Sequence, residues 1–197
     1  NKESALKKFN TLLCKHLAYT FNRAAKALAF GLTGGSKEGS SSADDFSKPY
    51  YAMINRMSAD FALTADMALG ILAGDLKRKE MLSGRLADIH AHLFIATAIL
   101  NYYEHGQRTE SDQKHAELAL NKALYNAQEA CFGVYENFPV KIAATLVKLI
   151  SFPFGRPVTK PSDELKQQVA QLLLKENSFR AELKKHVYYT TDETDVM

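Results

Sequence analysis

Apolar positions along this chain recur mostly at steps of three and four, the spacing that gathers side chains on one face of an α-helix. From residue 2 to 32, Leu6, Phe9, Leu13, Leu17, Ala24, Leu28 and Leu32 share one broad face, and Thr33-Gly34-Gly35 stops the run. A Gly/Ser/Asp stretch then predicts a long loop at about 33–47. Pro49 suits the first turn of a second helix, whose inner stripe is Ile54, Met57, Phe61, Ala65, Ala68 and Leu72. A turn or kink is expected between Gly74 and Lys79.

The third run is the most regular: Leu82, Leu86, Ile89, Leu93, Ala96, Leu100 and Tyr103 alternate steps of four and three, the spacing of a bundle seam. His105-Gly106-Gln107 closes it. A fourth run, from about Glu110 to Asn137, repeats the rhythm with Ala116, Leu120, Ala123, Ala127, Ala130 and Val134, small residues that let a neighbour come close. After Phe138-Pro139 comes a short apolar helix over 140–152, ended by Phe152-Pro153-Phe154-Gly155-Arg156-Pro157. Ser162 is the expected N-cap of the next helix, with Asp163 and Glu164 in its first turn and Leu165, Val169, Leu172 and Leu173 on its buried side. A last weak helix spans Phe179 to Val187 before a polar tail. The expected fold is all-α: an antiparallel four-helix bundle over 1–137, with additional short C-terminal helices and a tail over 138–197 packed on it.

Composition removes several function classes. The 197 residues are 46% apolar, enough for a core, so wholesale disorder is excluded. A net charge of +3, with no dense Lys/Arg stripe interleaved with aromatics, argues against nucleic acid as a partner. Two cysteines, Cys14 and Cys131, are too few for a disulfide scaffold and fit a reducing compartment. No signal peptide opens the chain, and the longest uncharged apolar stretch, Ile89 to Tyr103, is too short to span a bilayer. The chain starts with Asn1 rather than Met, which suggests a processed protein or a piece of a larger one.

Chemistry is sparse. A di-iron bundle needs Glu-x-x-His on two helices, and the sequence has none; the nearest approach, Asp112-x-x-His115, opens a helix where both residues should be solvated. His90 and His92 diverge by about 200° on a helix and cannot share one ion. No G-x-S-x-G elbow occurs, and both cysteines sit on apolar helical patterns where a buried, inert thiol is the usual state. Gly31-Leu32-Thr33-Gly34-Gly35 ends a helix instead of opening one, so it is a stop rather than a phosphate cradle. No catalytic, cofactor-binding or metal-ligating residue is expected.

One stretch carries an interaction signal. Between Pro139 and Phe152, Lys141, Thr145 and Lys148 gather on one side of a helix that is otherwise apolar, with Phe154, Arg156 and Lys160 just beyond. A wide apolar face with a basic edge fits an interfacial membrane helix, and equally a helix packed under a bundle. Lys141, Lys148, Phe152, Phe154 and Arg156 are therefore the candidate membrane or partner contacts. Phe21 to Phe30 has a weaker version of this character. The basic run Lys77-Arg78-Lys79 reads either as a contact for anionic groups or as a solvated junction.

Residue motifs add a family. Lys79-Glu80-Met81-Leu82-Ser83-Gly84-Arg85-Leu86-Ala87-Asp88 resembles a signature in the C-terminal region of large bacterial acyl-CoA dehydrogenases of fatty-acid β-oxidation. Asn137-Phe138-Pro139, Phe152-Pro153-Phe154-Gly155-Arg156 and Pro161-Ser162-Asp163-Glu164-Leu165 are similar to that region in the same order. Phe9-Asn10-Thr11-Leu12-Leu13-Cys14-Lys15-His16 resembles the segment that follows the family's catalytic domain. The resemblance covers nearly the whole chain. It implies a parent FAD enzyme that removes two hydrogens across the α and β carbons of an acyl-CoA, a carboxylate taking the α proton and the flavin accepting hydride. That carboxylate, a Glu followed closely by Gly, lies upstream of the matched region; Glu38-Gly39 sits outside any matching context.

The resemblance thus implies a cytoplasmic fragment, peripheral at the inner membrane or not, without flavin site or catalytic residue. Its partners would be its own catalytic domain and a second subunit. The competing expectation is a standalone helical adaptor without catalysis.

Overall fold

The computed structural model describes residues 2–35, 43–175, 178–185 and 187, and no side chain for Ser178. Most of the loop expected at 33–47, and the tail from 188 onward, lie outside the described residues.

The described residues form seven α-helices and no strand, an all-α fold. They are α1 (Lys2–Thr33), α2 (Ser47–Leu72), α3 (Glu80–His105), α4 (Glu110–Asn137), α5 (Lys141–Ser151), α6 (Asp163–Leu174) and α7 (Ser178–Lys185). The turn expected near Gly74 is a 3-10 helix, Ala73–Arg78. The caps follow local chemistry. Thr109 Oγ1 accepts from Asp112 N at 3.1 Å and the Asp112 carboxylate accepts from Thr109 N at 3.0 Å, a reciprocal capping box that starts α4. Ser162 Oγ accepts from Leu165 N at 3.2 Å and starts α6.

The core is the seam predicted for α3 and α4: Leu82, Ile89, Leu93, Ala96, Leu100 and Tyr103 against Ala116, Leu120, Ala123, Ala127 and Val134, all buried. α3 and α4 share the most extensive interface, joined by the short link 106–109. α2 lies across both and buries Ile54, Met57, Leu63, Met67 and Ala68. By length and composition alone the run Ser47–Arg78 could cross a membrane, although no such span was expected from the sequence. Its apolar side instead faces this core.

The fourth long helix departs from expectation. α1 packs on α2 and α5, with Ala27 and Gly31 as its buried residues. Leu6, Phe9, Leu13 and Leu17 are exposed, as are Leu28 and Leu32, and so is every residue from 2 to 19. Length explains it: 32 residues reach about 48 Å at 1.5 Å per residue, and the first half of α1 runs past the helices it touches. Cys14, expected to be buried, is exposed for the same reason, while Cys131 is buried in α4.

Candidate functional site

α5 forms because Val140 to Ser151 holds no Gly or Pro, and it starts directly after Phe138-Pro139 terminates α4. Ala144, Val147 and Ser151 turn inward onto α1, α2 and α4. At about 100° per residue Ile142, Leu146 and Leu149 fall on the opposite side, 77%, 56% and 55% exposed. This short helix is therefore apolar on both faces, one spent in the core and one uncovered.

The five candidate contact residues divide by position. Phe154 is 79% exposed, just past the helix end, on a turn where Gly155 takes φ 81°. Lys141 and Lys148 are exposed along the edge between the two apolar faces. Lys141 Nζ donates to Glu136 O at 2.5 Å, and Lys148 Nζ lies 5.6 Å from the Phe132 ring centroid. Arg156 is held more firmly: its guanidinium sits 3.9 Å over the Phe132 ring while Nε donates to Glu129 at 2.9 Å and Nη2 to Glu136 at 3.5 Å. Phe152 is only 2% exposed and packs against Phe132 and Tyr135, with the Arg56 guanidinium 5.5 Å above its ring. Lys141 and Lys148 thus lie along the edge of α5, Phe154 is exposed past its end, Arg156 is held against α4, and Phe152 is buried at the end of α5.

What holds α5 in place carried no signal in the sequence. Below it lies a buried polar cluster: Arg56, Asp60 and Thr64 from α2, Cys131 and Tyr135 from α4, and Ser151 from α5. Arg56 Nη2 donates to Ser151 O at 3.3 Å. Tyr135 donates its hydroxyl to Asp60 Oδ1, and Thr64 Oγ1 lies 3.3 Å from the same oxygen. Burial raises the Asp60 carboxyl, against the neighbouring Ser151, Tyr135 and Thr64 hydroxyls and the Cys131 thiol, which pull it down. Burial, then the neighbouring Asp60 charge, pushes the Cys131 thiol and the Tyr135 phenol well above their ordinary values. A thiol kept protonated by burial is a poor nucleophile, and the cluster's hydrogen bonds tie α2 to α4 and α5. Only the i, i+4 spacing of Arg56, Asp60 and Thr64 on a helix could have exposed it, and that spacing is common on solvated faces.

Gly31 completes the support. A Cβ there would lie 2.9 Å from Ile150 O, Ser151 O and Pro153 Cδ, so only glycine lets α1 close onto the end of α5. Beyond α5, Gln128 fixes the chain by a two-way pair: Nε2 donates to Val158 O at 2.8 Å and Val158 N donates to Oε1 at 2.9 Å.

Among the described residues no group of three or more His, Cys, Asp or Glu side chains is placed to hold a metal ion. His90 stacks on Phe61 at 5.7 Å. His115, expected to be solvated, is only 9% exposed, because Phe179 of α7 stacks on its ring at 4.1 Å. It borders a cleft of about 830 Å³ between the end of α3, the start of α4 and α7.

A family model described as "Acyl-CoA dehydrogenase, C-terminal, bacterial type" matches residues 1–197. No solved structure matches the chain.

Proposed function

The chain belongs to this bacterial-type C-terminal family of acyl-CoA dehydrogenases, and from that premise we propose that it is the helical docking domain of a flavoenzyme that dehydrogenates fatty acyl-CoA in β-oxidation. The parent enzyme is an oxidoreductase whose family implies FAD and an acyl-CoA substrate. The cleft at the end of α3 is a poor fit for the flavin: it has Asp112 and Glu182 on its wall and, among the described lining residues, no lysine or arginine for a pyrophosphate. On this reading the catalytic carboxylate and the flavin belong to the parent's catalytic domain, and this chain's part is docking.

Its task is to seat the enzyme peripherally on the cytoplasmic face of the inner membrane. The observation that carries this is the outward side of α5: Ile142, Leu146 and Leu149 exposed opposite the buried side, Phe154 exposed beyond, and Lys141 and Lys148 at the edge. An apolar face buries in the acyl boundary while lysines at its rim meet anionic headgroups, at about 1 kcal/mol per lysine. The outward side of α3 offers Phe94, Ile95 and Tyr102 without a lysine or arginine from Leu86 to Tyr103, which suits the parent's catalytic domain or a second subunit instead of lipid.

Flotation with vesicles containing anionic lipid tests the docking. The chain is expected to float with anionic vesicles, and a Lys141→Glu/Lys148→Glu form to remain largely behind. Equal recovery of the two forms would contradict this role.

A further inference from the structure

The cleft beside His115 has a chemistry that the docking role does not use. Small residues line it, Ala98 at the rim with Ala116 and Ala119 deeper in, and about 830 Å³ stays open between three helices. That volume lies in the range of small-molecule sites.

His115 Nδ1 is 2.6 Å from Ser111 O, one turn back on α4. A carbonyl can only accept, so Nδ1 carries a proton, and in the neutral ring Nε2 is the acceptor. That Nε2 is buried and has no hydrogen-bond partner. A buried acceptor without a donor is costly, so the site favours whatever brings one. The charged groups on the wall are already engaged: Asp112 in the capping box of α4, and Glu182 with Lys185 at 2.6 Å. With no lysine or arginine among the described lining residues, phosphates and carboxylates are poor guests.

We propose that this cleft binds an uncharged, largely apolar molecule bearing one N–H or O–H donor, which His115 Nε2 accepts. Phe179 is the gate. It stacks on the imidazole at 4.1 Å, and α7, which carries it, makes none of the extensive interfaces that join the other helices. A guest enters as α7 moves aside with that ring, and its donor reaches Nε2 at the imidazole's edge, in the ring plane where the lone pair lies.

N-phenyl-1-naphthylamine, an uncharged fluorescent probe with one N–H, and its N-methyl derivative, which lacks that hydrogen, test the assignment on the intact chain. The wild type is expected to bind the N–H probe at one saturable site, about fivefold to tenfold more tightly than the N-methyl probe. His115→Phe keeps a ring for Phe179 but offers no acceptor, so both probes should bind it equally. Ala119→Leu fills the cleft from a half-buried position and should weaken both probes at least tenfold. Circular dichroism checks that each variant folds; should His115→Phe unfold, the probe pair on the wild type and Ala119→Leu still decide. The proposal is overturned if the wild type shows no saturable site or does not discriminate between the probes. It is equally overturned if the preference survives in a folded His115→Phe, or if Ala119→Leu binds both probes like the wild type.

Discussion

Two helical glycines, Gly84 in α3 and Gly31 in the last turn of α1, should respond to the same substitution with opposite signs. Gly84 lies in α3 with nothing within 4 Å of where a Cβ would sit. Replacing an interior helical glycine by alanine there removes unfolded-chain entropy and is worth about 0.5–1 kcal/mol. Gly31→Ala has the same intrinsic gain, but its methyl carbon would sit 2.9 Å from two backbone oxygens, Ile150 O and Ser151 O, and from Pro153 Cδ. Backbone carbonyls cannot rotate aside, so either α1 or the end of α5 must move. Ser151 O also accepts from Arg56 at 3.3 Å, so moving α5 stretches that bond as well.

Overpacking of this kind costs about 1–3 kcal/mol. Three contacts at 2.9 Å, two of them to backbone oxygens, place the cost at about 2–3 kcal/mol, which against the intrinsic gain leaves Gly31→Ala less stable by about 1–2.5 kcal/mol. For a chain of this size about 2–4 °C in Tm corresponds to each kcal/mol. Thermal unfolding should therefore place Gly31→Ala about 2–10 °C below the wild type and Gly84→Ala about 1–4 °C above it. Were Gly31→Ala to gain stability as Gly84→Ala does, α1 would not close on the end of α5, and the support described for that helix would be wrong.

Three further outcomes follow from buried and capping groups. Burial raises the Asp60 carboxyl above its unfolded value, so its favourable share of stability is fully present in acid, below the unfolded value, and is lost as pH rises through the raised folded value. Urea midpoints of Asp60→Asn relative to wild type should thus improve from acid to neutral pH; a difference independent of pH would refute the buried, raised carboxyl. Native chain should react with one equivalent of a thiol reagent, at exposed Cys14, and denatured chain with two, since Cys131 is buried; two equivalents in native conditions would place Cys131 at the surface. Thr109→Ala removes one half of the α4 capping box and should lower stability by about 1 kcal/mol, read from denaturant midpoints; no change would mean that α4 starts elsewhere.

The helices and the α3/α4 seam were legible because a period of 3.6 marks which residues share a face, and Thr33-Gly34-Gly35, Pro49 and Ser162 mark where helices start and stop. Periodicity does not say whether a partner covers the face. Leu6, Phe9, Leu13 and Leu17 repeat as regularly as Leu82, Ile89, Leu93 and Leu100, yet the first set is bare and the second buried, since α1 outruns α2 and α5. The same limit applies at α5. The sequence marked its apolar width and basic edge, but only packing separates Ile142, Leu146 and Leu149, which face out, from Phe152, which anchors the end. Tertiary contacts also decide the polar interior. His115 is buried because Phe179, 64 positions on, stacks upon it, and Asp60 because Tyr135 and Ser151 arrive from two other helices. Local spacing contains none of those meetings.

The docking face can be watched directly, because the chain has no tryptophan. Leu146→Trp puts a single fluorophore on the outer side of α5, and Phe94→Trp puts one on the exposed side of α3. With anionic vesicles, and brominated acyl chains as quenchers, the 146 reporter should shift to the blue and be quenched while the 94 reporter does neither. Emission at 146 unchanged by vesicles, or equal quenching at both positions, would contradict the claim that α5 is the surface this domain presents to the membrane.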